Sequence, residues 1–579
     1  MDNVSSSSVV PDTRGSNFFR KDRVLRALLP VYLGEELANF LSPHLDRLGY
    51  RAANDLDEHA MLANAHPPVL HPRDRLGQDQ DWIEYHPSYK ALEQAAFEDF
   101  QIHAMSLRDG VLGLDRPFPL VAKHAFTYLF NQAEFGLGCP INVTDSAAHL
   151  IQRFGSEEAK DLFLPRMLYG TGEDRWQGAQ FITEKEGGSD VGSLQMQARK
   201  SEGNWRVYGE KWFCSNADAN VILLLARPEG AQEGTRGLGL FAVPRELESG
   251  ERNGYRIVRL KDKLGTRSMA TGEIAFEGAF AYQLGELDRG FRHMTEMINT
   301  SRLSNGVKSA ALMRRAVHDA HVVAQNRTVF GRKLIDQPLG KQQLVKLSLP
   351  AEQALSMWMF VASILDDANK ECNGAQTKLD LCARLATPLL KFRATRDARK
   401  VTQDAMEFRG GCGYIEDFVN PRLVRDALLG SIWEGTSNII AIDVVRRAIR
   451  RQNCLNELVD LLNGKIAEME DISVSYRSTL SNRLEEVAQF AHEVAEREEE
   501  QLYRQVVSAL YHICTAVTMA WEAQATGLGE RLLWSRLVIE HRLQAYSPVA
   551  TSSSPSSLVD FLATSGGLEL EAANEIIGA

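Results

Sequence analysis

Ser431-Ile432-Trp433-Glu434-Gly435-Thr436-Ser437-Asn438 sets one carboxylate after a bulky aromatic and before a glycine, where backbone can come close to a ligand. Thr436, Ser437 and Asn438 can cap a helix running through Ile439, Ile440, Val444 and Val445. Alone, the same residues also describe a plain capped helix start with an exposed acid. Upstream, Thr183-Glu184-Lys185-Glu186-Gly187-Gly188-Ser189-Asp190 places two glycines among hydroxyls and carboxylates. Such a loop can offer main-chain N–H groups to a ligand's polar edge, or it is an ordinary glycine turn. Gly209-Glu210-Lys211-Trp212-Phe213-Cys214-Ser215-Asn216 sets aromatics beside a hydroxyl, suited to a ring with one polar edge or to a strand with core aromatics. Arg327-Thr328-Val329-Phe330-Gly331 puts a guanidinium at a helix end, able to clamp phosphate or to stay solvated. Gly410-Gly411-Cys412-Gly413-Tyr414 is a backbone cradle that serves a pyrophosphate and a tight helix–helix turn equally well.

The elements that must hold these segments change in kind along the chain. From about Arg23 to Tyr169 the apolar spacing is mostly helical, as in Leu107, Val111 and Leu114 or Ala147, Ile151 and Phe154. Asn64–Asp79, with Pro67, Pro68 and Pro72, reads as a long loop. After Gly178 come short β-prone runs at Trp205–Tyr208, Val221–Leu225, Leu238–Val243, Tyr255–Val258 and Glu273–Phe276, spaced as in an antiparallel sandwich or barrel. From Gly290 to about Arg451 the pattern is helical again, with Pro338 and Pro350 as breaks or kinks. Asn453 to Ala579 is helical too, and Val487, Phe490, Ala491 and Val494 make a stripe that must be buried. Ser552–Ser557 reads as a flexible linker.

The predicted fold is therefore α+β and multidomain. It comprises an N-terminal segment and helical domain (1–177), a central antiparallel β-sandwich or barrel (178–286), a C-terminal helical bundle (287–451) and an additional helical region (452–579). Gly237-Leu238-Gly239-Leu240-Phe241-Ala242 matches the glycine spacing of a dinucleotide fingerprint, but Leu238–Val243 reads as a strand that Pro244 ends, so no helix opens to meet a pyrophosphate.

Length and charge narrow the function classes. At 579 residues the chain holds roughly three to four units of ~150 residues. A net charge of −11 argues against nucleic acid as a partner, which needs a positive footprint. Residues 441–579 carry 12 Lys and Arg against 20 Asp and Glu, which speaks against a DNA-binding tail, with a local basic patch at Arg446, Arg447, Arg450 and Arg451 left open. Seven scattered cysteines, with no C-x-x-C pair, indicate neither a disulfide framework nor a zinc site, and no metal is expected. No apolar run approaches the ~20 residues of a membrane span. Met1–Arg26 loosely suggests a transit peptide, but Asp2, Asp12 and Asp22 favour Ser-rich disorder. The cytosol is favoured, with a mitochondrial address left open.

In this order and around this layout, the segments resemble the acyl-CoA dehydrogenase flavoprotein superfamily over roughly residues 100–450. The carriers are the Thr183–Asp190 loop, the Gly209–Asn216 strand, Gly265–Ser268, Arg327–Gly331, Gly410–Tyr414 and Trp433–Thr436. Lys211-Trp212-Phe213, Lys261–Gly265, Ser431–Gly435 and the extra C-terminal helices are most similar to its AidB-type branch.

The resemblance implies an FAD site. Thr183 and Ser215 would hydrogen-bond the flavin's polar edge, with Ser189 from the same loop and Phe213 against the ring, where most members have Trp. Arg327 and Phe330 would reach the adenosine-diphosphate half of an FAD in a partner subunit of a homotetramer, with Gly410 and Gly411 admitting its pyrophosphate. Glu407 stands where a Gln is usual, which puts a carboxylate near that anion. Glu434 matches the base that takes the α-proton of an acyl thioester, and Thr436 would touch the flavin. Some relatives carry the base just before an Arg matching Arg302. Here Ser301 stands there and cannot serve.

The activity implied is acyl-CoA dehydrogenation, on CoA or a carrier protein, with an electron-transfer flavoprotein or oxygen as acceptor. The alternatives are an AidB-like regulatory or DNA-protective flavoprotein of little turnover, and an acyl-CoA oxidase.

Overall fold

The computed structural model describes residues 10–371, 376–545, 556–564 and 567–578. The chain divides into two compact units, each discontinuous in sequence. One holds Met1–Asn54, Pro119–Ala133 and Arg302–Ala579; the other holds Asp55–Phe118 and Glu134–Ser301.

The second unit is built on a seven-stranded sheet. Its strands are β3 (Gly178–Phe181), β4 (Gln197–Ser201), β5 (Asn204–Ser215), β6 (Val221–Pro228), β7 (Gly239–Pro244), β8 (Tyr255–Leu260) and β9 (Thr271–Leu284), preceded in sequence by a hairpin of β1 (Val69–Arg73) and β2 (Asp79–Glu84). The expected β-prone runs lie in strands, except that Leu238 falls one residue before β7. The sheet is not wholly antiparallel as expected, because β3 and β4 both pair parallel to β6. Central placement, between β3 and β7, explains why β6 is an unbroken apolar run instead of an alternating one. β7 ends at Pro244 with no helix after it, consistent with rejecting a dinucleotide fingerprint.

Residues 64–79 are not the loop expected. Leu70 and Ile83 of the hairpin pack on the core of the sheet, and Asp81, itself buried, accepts the Ile257 amide at 2.9 Å. That order comes from tertiary contact, which local composition does not encode. Leu107, Val111 and Leu114 are likewise not helical: Gly110 and Gly113 take φ of 74° and 88°, and only a 3₁₀ turn forms. Ala147, Ile151 and Phe154 do lie in one helix, Gly138–Phe154.

The first unit is helical. Its long helices run Pro338–Glu371 and Lys378–Arg409, followed by Asn420–Gly430, Cys454–Ala467, Val474–Arg497, Tyr503–Thr526 and Gly529–Val538. Pro338 is not a break but the first residue of its helix, which continues through Pro350. A Thr377–Asp380 capping box starts Lys378–Arg409, and Gly410, at φ 79°, stops it. The opening segment from residue 10 is not disordered as expected: Thr13, Ser16, Asn17, Phe18 and Phe19 are buried, and Asn17 caps a short helix. Ser5–Ser8, Cys372 and Ser552–Pro555 lie outside the described residues; Ser556–Thr564 is helix rather than linker.

A buried ionic network ties the C-terminal helices into this unit. Arg531 donates to Glu352 at 2.5 Å and to Glu522 at 2.6 Å, with both carboxylates buried. Glu352 also takes Arg314 at 2.6 Å, and Arg314 reaches Asp22 at 3.1 Å. Tyr128 bonds Asp22 at 2.9 Å, and Tyr32 bonds Glu522 at 3.0 Å. Each charge in this network has an opposite neighbour, the condition for keeping ions out of water.

Candidate active site

Glu434 lies in the loop between helices Asn420–Gly430 and Ser437–Ile442. Both it and Gly435 have positive φ, 55° and 93°, so the turn is tight and places a non-glycine residue in the left-handed region. Thr436 occupies the N-cap position of the helix that follows, but its side chain makes no capping bond, contrary to expectation.

Three cations from two helices surround this turn. Arg302 and Lys308 come from Gly290–Asn326, and Lys391 from Lys378–Arg409. The helices approach closely because Gly306 carries no side chain: a Cβ there would lie 2.5 Å from Leu390 Cγ. Arg302 Nε donates to the Glu434 carbonyl at 3.4 Å, and Lys391 Nζ to the Gly435 carbonyl at 2.5 Å. Lys308 Nζ sits 4.7 Å from the centre of the Trp433 ring. All three cations are buried; Lys391 is only 1% exposed. Arg302 and Arg384 share Asp443, at 2.9 and 2.7 Å, and together hold that carboxylate below its usual range although burial opposes them.

Desolvation raises the pKa of Glu434, against the pull of Lys391, Lys308 and Arg302. Burial lowers the Lys391 ammonium to about 7, with Glu434 opposing and Arg302 reinforcing the shift. A carboxylate poised above its solution range is suited to take a proton near neutral pH. Ser301, in the other unit, takes a hydrogen bond from Asn142 at 2.9 Å.

In the same unit as Glu434, Arg327 and Gly410 come together. Arg327 Nη1 donates to the Arg409 carbonyl at 2.9 Å and would lie 3.3 Å from a Cβ on Gly410. Gly410 and Gly411 are exposed and carry no side chain to keep a ligand off the guanidinium, although the Gly410 amide itself donates to the Glu407 carbonyl at 2.9 Å; the open backbone beside Arg327 fits a pyrophosphate. Phe330 caps a hairpin of Thr328–Val329 with Arg332–Lys333, at φ 51°, and is 96% exposed. Glu407 is exposed as well. Arg409 faces inward, paired with buried Asp319.

In the β-sheet unit, Phe213 and Ser215 point from the same side of β5, and Phe213 is 54% exposed. Ser215 Oγ lies 3.2 Å from Thr271 Oγ1. Thr183 accepts the Trp212 amide at 2.8 Å through its carbonyl. Its hydroxyl has room because a Cβ on Gly188 would sit 2.6 Å from it. The loop is anchored by Glu184, buried and paired with Lys211 at 2.7 Å. Ser189 is exposed beside it. An exposed ring with two hydroxyls suits one face and the polar edge of a flavin.

Sequence reasoning missed Lys308 and Lys391. The signal for Lys391 was its place among Leu389, Leu390 and Phe392, where a lysine interrupts a buried stripe. Among the described residues no cluster of side chains could hold a metal ion, and no helix is long and apolar enough to cross a membrane.

Comparison with known proteins shows the family of the chain. Residues 9–171 match the adaptive response protein AidB N-terminal domain, 179–279 the acyl-CoA dehydrogenase middle domain and 288–449 the acyl-CoA dehydrogenase C-terminal domain. The chain belongs to the acyl-CoA dehydrogenase family of FAD-dependent oxidoreductases. Within that family it is AidB-like: it is 34% identical to the putative acyl-CoA dehydrogenase AidB of Escherichia coli, over 71% of this chain and 74% of that one. It is 32% identical to acyl-CoA dehydrogenase family member 11 of Caenorhabditis elegans, over 75% and 70%. The crystal structure of the C. elegans protein ACDH-11 in complex with C11-CoA superposes with a TM-score of 0.85 at 26% identity, covering 93% of each chain.

Proposed function

We propose that this protein is an acyl-CoA dehydrogenase in the catalytic sense, with Glu434 as the base that removes the α-proton of an acyl thioester. The observation that carries the reading is the setting of Glu434: a half-buried carboxylate among three buried cations, its pKa raised by burial, on a tight turn held through its carbonyls by Arg302 and Lys391. FAD, when bound, supplies the acceptor for the β-hydride. By the family resemblance, Thr183, Ser189, Phe213, Ser215 and Thr436 would each contact its flavin end, and Arg327, Phe330, Gly410 and Gly411 its adenosine-diphosphate end. Glu434 keeps the abstracted proton on its carboxyl group, and the surrounding cations limit the cost of the charge it carries beforehand. Ser301, a neutral hydroxyl, leaves that task to Glu434. Phe330, almost fully exposed at the tip of its hairpin, is open to a neighbour's cofactor, as the homotetramer of this reading requires. The complex of ACDH-11 with C11-CoA supports CoA as the carrier.

The test is anaerobic mixing of the FAD-loaded protein with acyl-CoAs of varied length and branching. Loss of flavin absorbance with at least one of them is expected. If none bleaches it while binding is detectable, the protein is instead a flavoprotein of little turnover, as an AidB-like regulatory role requires.

A further inference from the structure

Lys391 is only one of three cations around the Glu434 turn, yet its setting is costly. A lysine ammonium almost fully out of water is disfavoured unless something nearby repays the desolvation. Its described hydrogen-bond partner is the Gly435 carbonyl, at 2.5 Å, and its favourable charge partner is Glu434. The other charged groups around the turn are Arg302 and Lys308, from the facing helix, and Asp443 with Arg384, an ion pair that Arg302 joins. Because Asp443 is already shared by two arginines, Glu434 is the acid that acts on Lys391.

The turn itself needs such an anchor. Two successive residues at positive φ, one of them not glycine, are held in place by what grips their carbonyls. Arg302 grips the first at 3.4 Å, a long contact, and Lys391 the second at a short one.

We propose that Lys391 is a positioning residue for the base: its amine, anchored on the Gly435 carbonyl, fixes the turn that presents Glu434, and its charge sets how readily Glu434 ionises. This rests on reading Glu434 as the base. A charged Lys391 favours the Glu434 carboxylate; a neutral one still donates to Gly435 but leaves the carboxylate less supported, so the two groups titrate as a pair.

Three substitutions separate the two functions. Lys391→Met removes both donor and charge, Lys391→Gln keeps a donor without charge, and Lys391→Arg keeps both but does not titrate in the accessible range. Two readouts are taken on the FAD-loaded protein. The first is amide hydrogen exchange in the peptide spanning Ser431–Asn438. The second is the pH dependence of anaerobic flavin reduction with an acyl-CoA that the parent accepts. Lys391→Met should exchange at least tenfold faster in that peptide alone, and reduce flavin at least tenfold more slowly through kcat more than KM. Lys391→Gln and Lys391→Arg should show near-parental exchange, while the acid limb of the rate profile, set by Glu434, should move to higher pH in Lys391→Met and Lys391→Gln but not in Lys391→Arg. Parental exchange together with a parental pH profile in Lys391→Met overturns the proposal; if that variant does not fold, the pH profile of Lys391→Gln decides alone. Should no acyl-CoA reduce even the parent, the base reading falls. The exchange measurement then still decides the anchor, and unchanged exchange refutes it.

Discussion

Replacing Glu434 by Gln changes one oxygen to an amide and leaves the rest of the turn in place. Gln tolerates the same left-handed backbone at a similar cost, and the bonds from Arg302 and Lys391 go to main-chain carbonyls that the substitution does not touch. Folding and FAD content should therefore match the parent's. What is lost is the group able to accept a proton, and a positioned general base contributes typically about 10²–10⁴ in rate. At ~1.36 kcal/mol per decade that is about 2.7–5.4 kcal/mol of barrier. The loss should itself depend on pH. The pKa of Glu434 lies above the ordinary carboxylate value, so the base fills with protons as pH falls through that raised pKa, and the parent slows while the variant does not. The gap between the two proteins should thus be widest above neutrality and close in acid. Stopped-flow recording of anaerobic flavin bleaching, from about pH 5.5 to 9, measures it. Equal rates in parent and variant at pH 8 would refute Glu434 as the base.

Arg327→Ala removes a charge-assisted phosphate contact worth about 1.5–3 kcal/mol, so FAD should bind roughly ten- to hundredfold more weakly by equilibrium titration of the apoprotein. Full retention would return Arg327 to a structural role at the Arg409 carbonyl. Arg531→Met strands Glu522 in the core, leaves Glu352 to Arg314 alone, and should cost about 3–5 kcal/mol in denaturant unfolding, part of it recovered by adding Glu522→Gln. An unchanged midpoint would contradict the network. Duplex DNA at ~0.15 M salt should bind weakly and without sequence preference. Arg446 is tied to Glu500, Arg450 to Glu498 and Arg447 sits 4.0 Å from Asp443, so the local basic patch is largely neutralised. Submicromolar affinity by anisotropy would show that a cationic surface elsewhere outweighs the net charge.

What could be read from the sequence depended on how local its cause was. The strands with continuous or aromatic-rich runs were legible, as was the helix stripe holding Ala147 and Ile151. β3 and β4 were not, because four- and five-residue strands are made by their pairing with β6 rather than by their own composition. The trio at Leu107, Val111 and Leu114 has helical spacing but is interrupted by two glycines that take the left-handed region. In the candidate site, the residues that could be named from sequence were those embedded in short contiguous motifs: Glu434, Arg327 and the glycines after Arg409. Lys308 and Lys391 stand in ordinary helices, and only a fold that crosses those helices at Gly306 brings them to the Trp433–Gly435 turn. Nor does anything local announce the Arg531 network, whose partners include Tyr32 and Glu522, 490 residues apart.

That separation bears on the order in which the protein can be made. The first 54 residues belong to a unit most of which begins at Arg302, and Asp22 and Arg314 join a chain of buried charges completed by Arg531. Synthesis at about 5–20 residues per second leaves the opening helices waiting tens of seconds for those partners. The β-sheet unit, by contrast, has every residue it needs once Ser301 has emerged. Until the last helices leave the ribosome, the nascent chain holds a finished sheet domain beside an amphipathic segment with an unmatched acid. It is then that a chaperone has most to protect, and a premature stop anywhere before residue 531 leaves the helical unit without its last buried cation.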